Sequence, residues 1–402
     1  MFTDPNIEVS VIIPSFNRYP LNLITLYSFE NQTFDFKKME VIFIDDASVD
    51  DTYKIISKYK PPYHFSYVKC TKNFGRGKAR NIGINLARGK IIIFLDAEMI
   101  VEEDFVMNHY LKHKEKNNLV LTGALHLKSV YTCIFPEFDM KQFSLMKILF
   151  KNDKELYIRL NNFIKNLEIS QEKENKNFVL FNRKEILQRK YKILITEDSY
   201  FTKELLELYG KDFNFPWMAF LTGNVSIKKD LILKLGGFDI DFEGYGYEDW
   251  ELGYRLYLNG AEFVADESVA GYHQEHPIPE NKWNNAVNNY YLFTEKHPSI
   301  DVLILSLELA RIVDLKTMNS ILGEYKHLKN KYSNEFTSFQ ESFSKILKTT
   351  AILLKYDIRH KFLIEASGIS KQEKEKLLSD IKAMKRMGEF KQLVKLFEEK
   401  LV

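Results

Sequence analysis

The chain has 402 residues, well beyond the ~150 of an ordinary domain, so two or more folding units are expected. Its 45% hydrophobic and 28% charged residues permit a large core and exclude wholesale disorder. With 57 Lys and Arg against 55 Asp and Glu, the net charge of +2 gives no general electrostatic reason to bind nucleic acid or an acidic membrane.

Two cysteines, Cys70 and Cys133, exclude a disulfide framework and suit a reducing compartment. The opening MFTDPNIEVSVIIP lacks the basic-then-apolar order of a secretory signal. No apolar run approaches the ~20 residues that span a bilayer, and 302–313 is interrupted by Glu308 and Arg311. A soluble, cytoplasmic protein is expected.

The first ~125 residues alternate strand-like and helix-like segments. Strands are predicted over 8–14, 39–45, 64–70, 90–95 and 119–128, and helices over 19–30, 50–58, 77–87 and 102–116. MEVIFID and KIIIFL read as strands buried on both faces. Repeated β-α units imply an α/β fold with a mostly parallel sheet flanked by helices. Ligands of such sheets bind beyond the carboxyl ends of the strands. Residues 1–128 form one segment. From 129 to 215 the pattern loosens into a mostly helical insertion, with 170–177 (SQEKENKN) as a solvated loop. Residues 216–298 return to aromatic- and glycine-rich sequence. A helical region, 299–402, ends in an amphipathic stretch over 389–401.

The first strand runs into Pro14, Ser15, Phe16, Asn17 and Arg18, where a ring and an amide suit a nucleobase and the alternative is an ordinary turn. The second ends in Asp45 and Asp46, costly to desolvate without partners, ahead of a capping Ser48 or Asp50. Around Gly75-Arg76-Gly77 the third glycine of a dinucleotide fingerprint is replaced by Arg80, and P-loop spacing is absent. A basic cluster opening a helix remains, with Arg76 and Arg80 suited to phosphate. Asp96 and Glu98, two residues apart past the most buried strand, suit Mn²⁺ or Mg²⁺ bridged to a diphosphate.

Glu248 and Asp249 follow a glycine- and tyrosine-rich loop at a helix N-terminus, where the dipole favours carboxylates and one could serve as general base. Behind them Trp250, Gly253, Tyr254, Tyr257 and Leu258 share a face, with Gly260 as the stop. His273, after a short strand over 268–271, is a candidate third metal ligand. His109 and His113 lack the Glu of a zinc motif and read as a solvated helix end.

These segments together resemble the family 2 glycosyltransferases of the GT-A fold. The nucleotide-sugar half is carried by 9–17, Asp45-Asp46-Ala47-Ser48 and 73–96. Thr222-Gly223-Asn224, Gly236-Gly237-Phe238-Asp239, Tyr247-Glu248-Asp249 and 272–275 resemble the acceptor half of chondroitin polymerases and β-1,4-galactosyltransferases. The resemblance implies a metal-dependent, inverting transfer from a UDP-sugar to a hydroxyl acceptor such as a surface glycan. Pro14, Phe16, Asn17, Arg18, Asp45, Asp46, Arg76, Arg80 and Asp96 would bind the nucleotide sugar. Asp96, Glu98 and His273 would hold Mn²⁺ or Mg²⁺. Gly223, Asn224, Glu248, Tyr247 and Trp250 would bind the acceptor, and Asp249 would take its proton. Glu98 departs from the family's Asp-x-Asp by one methylene.

Two other classes compete. A sugar-nucleotide pyrophosphorylase should show a glycine- and arginine-rich signature after the first strand, and Pro14 to Arg18 is not one. A silent nucleotide-binding protein of the same fold is opposed by the intact Asp96, Glu98 and Asp249. The C-terminal helices are read as a layer on the catalytic domain. The alternatives are pairing of two protomers, partner docking, or contact with the inner face of the membrane.

Overall fold

The computed structural model describes residues 6–169, 177–199, 203–210, 212–277, 282–359 and 362–401. The chain forms two compact units. One contains 1–206, 217–243 and 248–280; the other contains 207–216, 244–247 and 281–402. These units cut across the four segments read from the sequence, since most of 129–215 belongs with the first. Residues 170–176 of the expected solvated loop lie outside the described residues.

The first unit holds thirteen strands among its described residues. They are β1 (Val9–Ser15), β2 (Met39–Asp45), β3 (His64–Lys69), β4 (Ile91–Leu95), β5 (Met99–Val101), β6 (Leu119–Thr122) and β7 (Lys128–Val130). They continue as β8 (Cys133–Ile134), β9 (Phe178–Val179), β10 (Ile195–Ser199), β11 (Asn224–Lys228), β12 (Glu262–Ala265) and β13 (Gly271–Gln274). Seven form the main sheet in the order β12-β6-β11-β4-β1-β2-β3. Its neighbours pair in parallel, except that β11 runs antiparallel between β4 and β6. The wholly buried β2 and β4 take interior places, and the half-exposed β3 lies at an edge. A second sheet has the order β10-β7-β13-β5, and β8 pairs with β9.

Three sequence expectations change. The strand predicted over 119–128 ends at Thr122, because the chain turns at Gly123 and re-enters in the other sheet as β7. A side chain at Gly123 would lie 2.1 Å from the Val269 carbonyl, so the turn demands glycine. The strand predicted over 268–271 is a turn there and a strand from Gly271 to Gln274, pairing with β5 and β7. The insertion, read as mostly helical, also supplies strands to both smaller sheets.

His109 and His113 are buried, not solvated. They lie on the inner face of the helix Phe105–Glu115, with His109 Nδ1 and His113 Nε2 each 2.7 Å from Ser226 Oγ in β11. A hydroxyl has one proton, so at least one imidazole donates to it. Burial pushes both imidazoles down, His109 to about 3 and His113 to about 4, so both are neutral near pH 7.

The second unit is helical. Its longer elements are Lys282–Lys296, Leu315–Lys331, Thr337–Lys355, Lys371–Met387 and Lys391–Glu399. Their apolar stripes form a separate core, where Phe339 and Phe343 meet Phe397 at 5.1 and 5.7 Å between ring centres. Among the described residues no helix is long and apolar enough to cross a membrane.

Candidate active site

The parallel register brings Ser15 beside Asp45 and Asp45 beside Lys69, so the first three strands end level. Side-chain hydrogen bonds then stitch the loops beyond them. Asn17 N–H donates to Ser48 Oγ at 3.0 Å, and Asn17 Oδ1 accepts from Val49 N at 2.8 Å. Asp45 Oδ1 accepts from Ser48 N at 2.8 Å, and its Oδ2 accepts from the Tyr67 hydroxyl. Asp46 accepts from Phe74 N at 2.8 Å and Gly75 N at 2.9 Å. The desolvation of this acidic pair is therefore offset by backbone donors, and both residues shape the loops. Phe16 is 44% exposed at the same edge, and Pro14 is half-buried at the end of β1.

Gly75 adopts φ +84, the left-handed region, to start the helix Arg76–Leu86. Arg76 sits in its first turn. Arg80, one turn further, was expected to face phosphate; instead it is only 2% exposed and lies between two carboxylates. Its Nη1 reaches Glu248 Oε1 at 3.1 Å and its Nη2 reaches Asp96 Oδ1 at 3.2 Å. The guanidinium thus joins the end of β4 to the helix Glu248–Leu258. Gly223 lies against this junction, since a side chain there would meet Asp96 Oδ2 at 3.2 Å.

Asp249, beside Glu248, is pushed up to about 7. Burial is the main cause, the neighbouring Glu248 charge adds to it, and Arg80 and the Trp250 N–H oppose it. The helix dipole, which should favour the anion, does not win here. A carboxyl near 7 combines sufficient basicity with substantial ionisation at neutral pH. The face behind it is only partly as predicted: Leu258 is 60% exposed, and Leu252 and Leu256 are buried in its place. Gly253 has no room for a side chain, which would lie 2.6 Å from the Trp217 carbonyl.

A second cluster lies past β4 and at the end of β13. Glu98, His273 and His276 offer ligand atoms all within 4.8 Å of one another. Asp96, expected to be a ligand, is outside this group, and its Oδ1 pairs with Arg80 at 3.2 Å. His276 is the member that sequence reasoning missed, and its signal was the His-x-x-His spacing with His273. His276 Nδ1 lies 2.8 Å from the Pro277 carbonyl, which can only accept, so Nδ1 carries a hydrogen. Nε2 then faces Glu98 Oε1 at 3.3 Å. In the neutral ring this is a lone pair against a carboxylate, an arrangement that needs a proton or a cation between them. One carboxylate with two imidazoles is a sound donor set for a divalent transition ion, so the residues fit a metal. Burial alone would raise Glu98; Arg18, 3.3 Å away, and the two imidazoles override it and hold the carboxyl well below its ordinary range.

The remaining candidates have structural partners. Asn224 is buried and donates to the Val269 carbonyl at 2.8 Å. Trp250 Nε1 donates to the Met218 carbonyl at 3.1 Å. Tyr247 belongs to the second unit, where its ring packs on Tyr290 and Phe293 at 5.5 and 6.3 Å. These contacts engage the Asn224 amide N–H, the Trp250 indole N–H and the Tyr247 ring.

Residues 10–165 match glycosyl transferase family 2, and residues 205–276 match the N-terminal domain of galactosyltransferase. Chondroitin synthase of Pasteurella multocida (strain Pm70) is 28% identical over 326 residues, 80% of this chain and 30% of that one. The glycosyltransferase YfnE of Bacillus subtilis (strain 168) is 29% identical over 277 residues, 67% of this chain and 65% of its own length. Validoxylamine A glucosyltransferase of Streptomyces hygroscopicus subsp. jinggangensis (strain 5008) is 26% identical over 300 residues, 73% and 61% respectively. The chain thus spans from under a third to about two thirds of these relatives. The two matched segments follow one another along the chain without overlap. With the sheet topology and the strand-end site, they make residues 10–165 of this chain similar to glycosyl transferase family 2 and residues 205–276 similar to the N-terminal domain of galactosyltransferase, on an α/β fold with a mostly parallel central sheet.

Proposed function

We propose that the protein transfers a sugar from a UDP-sugar to a hydroxyl acceptor with inversion at the anomeric carbon, and that Mn²⁺ or Mg²⁺ is required. The observation that carries this reading is the pairing of a near-neutral carboxyl, Asp249, with a guanidinium-bridged junction to the end of β4. In this reading residues 1–128 bind the donor and 216–298 the acceptor. The exposed Phe16 suits the base, and the loops held by Asp45 and Asp46 present backbone to the nucleotide.

Asp249 takes the proton of the acceptor hydroxyl as its oxygen bonds to the anomeric carbon, and the bond from that carbon to the diphosphate breaks. Glu248, fixed by Arg80, orients the hydroxyl. Glu98, His273 and His276 would hold the cation, which would offset the charge of the leaving diphosphate. A glycosidase needs two carboxylates flanking one bond as acid and nucleophile; here Arg80 ties Asp96 and Glu248 into one ion-paired unit, which does not serve that chemistry. Relatives are named for chondroitin synthesis and for glucosyl transfer to validoxylamine A, so a hydroxyl compound is the acceptor class, with surface glycans the first to test.

The experiment is release of UDP from a panel of UDP-sugars, with and without chelator, together with the thermal midpoint. A chelator-sensitive midpoint shift with UDP and one of its sugars is expected. Absence of any uridine-dependent shift refutes the donor assignment, and binding without turnover on any acceptor favours the silent nucleotide-binding reading. Glu98→Gln or His276→Ala should weaken Mn²⁺ binding by at least about tenfold in calorimetry.

A further inference from the structure

Arg18 lies two residues beyond Phe16 and places its Nε 3.3 Å from Glu98 Oε1. His276 Nε2 reaches the same oxygen at 3.3 Å. A divalent ion held by Glu98, His273 and His276 would therefore meet a guanidinium already on its one anionic ligand. Both side chains are largely enclosed, 22% exposed for Arg18 and 12% for Glu98, so water screens the two positive groups poorly.

We propose that Arg18 is the resident counter-ion of Glu98, displaced when a cation binds, and that a nucleoside diphosphate is its alternative partner. The inference rests on the cation site argued above. The planar guanidinium, with its fork of donors, suits phosphate oxygens as well as a carboxylate. The Arg18 carbonyl accepts from Asn22 N–H at 3.1 Å, which anchors the backbone while the side chain exchanges partners. Removing Arg18 from Glu98 frees the oxygen for the cation, and the diphosphate stabilises Arg18 where it goes. Cation and diphosphate consequently assist each other's binding beyond their direct contact, by the same factor in either order.

The test is Mn²⁺ affinity of the full chain, by titration calorimetry and by loss of the free-ion paramagnetic resonance signal, with and without UDP. Arg18→Gln should bind Mn²⁺ roughly tenfold more tightly than the natural chain when UDP is absent, the effect of one charge ~5 Å away even at the dielectric of water. The enhancement of Mn²⁺ binding by UDP should shrink by a similar factor. Arg18→Lys keeps the charge and should stay near the natural affinity, which separates lost charge from a damaged fold. Unchanged or weaker Mn²⁺ binding by Arg18→Gln without UDP, at an unchanged thermal midpoint, overturns the proposal. Natural Mn²⁺ affinity in Glu98→Gln overturns the cation site itself, and this inference with it.

Discussion

Replacing Asp249 by Asn should cut turnover sharply and stabilise the fold, a combination that a merely structural aspartate would not give. The carboxyl rises from 3.8 to about 7, chiefly through burial and then through the charge of Glu248. At 1.36 kcal/mol per pH unit that gap is on the order of 4 kcal/mol, and allowing for residual solvent screening leaves about 2–4 kcal/mol. The sign follows from which state binds the proton more tightly. Below about 3.8 the carboxyl is protonated in both states and costs nothing. Between about 4 and 7 only the unfolded chain ionises, so stability falls as pH rises, and above 7 the loss is complete. Asn cannot ionise, and its carbonyl can still accept from Trp250 N–H. At pH 8 the variant should therefore melt several degrees above the natural protein, and at pH 4 the two midpoints should converge. Turnover should fall by about 10²–10⁴. In the natural enzyme kcat/KM should rise tenfold per pH unit below about 7 and then level off. Full turnover in Asp249→Asn, or identical midpoints at pH 8, would refute the assignment of this residue as the base.

Arg80→Met should cost about 3–5 kcal/mol in a thermal or urea melt, because it strands Glu248 and Asp96 without their shared cation. It should also move the kcat/KM profile above pH 7, since Arg80 is the charge that lowers Asp249. Ser226→Ala leaves two buried imidazoles without their common hydroxyl and should lower stability by about 2–4 kcal/mol, read from the melt. His109 and His113 are held neutral in the fold, so stability should be full above pH 6.5 and fall as the pH drops towards 4, where the unfolded chain takes up protons that the fold resists. Gly253→Ala forces a methyl to 2.6 Å from the Trp217 carbonyl and should destabilise by about 1–3 kcal/mol, with activity falling because the same helix begins with Glu248 and Asp249.

The main sheet was legible because a strand buried on both faces leaves an unbroken apolar run. MEVIFID and IIIFL are interior strands of the main sheet, and the residues just past them, Asp45, Asp46, Asp96 and Glu98, stand at its carboxyl edge. Chain order conveyed which residues lie at that edge but not which of them pair. Arg80 and Glu248 are 168 positions apart, and nothing local in either segment marks one as the other's counter-ion. For the same reason Arg80, read with Arg76 as facing phosphate, is instead an internal ion-pair partner of Asp96 and Glu248. His109 and His113 were misjudged because their helix reads as polar at its end, whereas their partner, Ser226, comes from a strand more than 110 residues later. His276 was within reach of the sequence, three residues from His273, yet its spacing acquires meaning only once β13 lies against β5 and brings both imidazoles to Glu98. The chemistry of the site therefore depends on long-range pairing: local pattern supplies the carboxylates, and tertiary packing decides which of them meets an arginine, which meets imidazoles, and which is buried and pushed up to about 7.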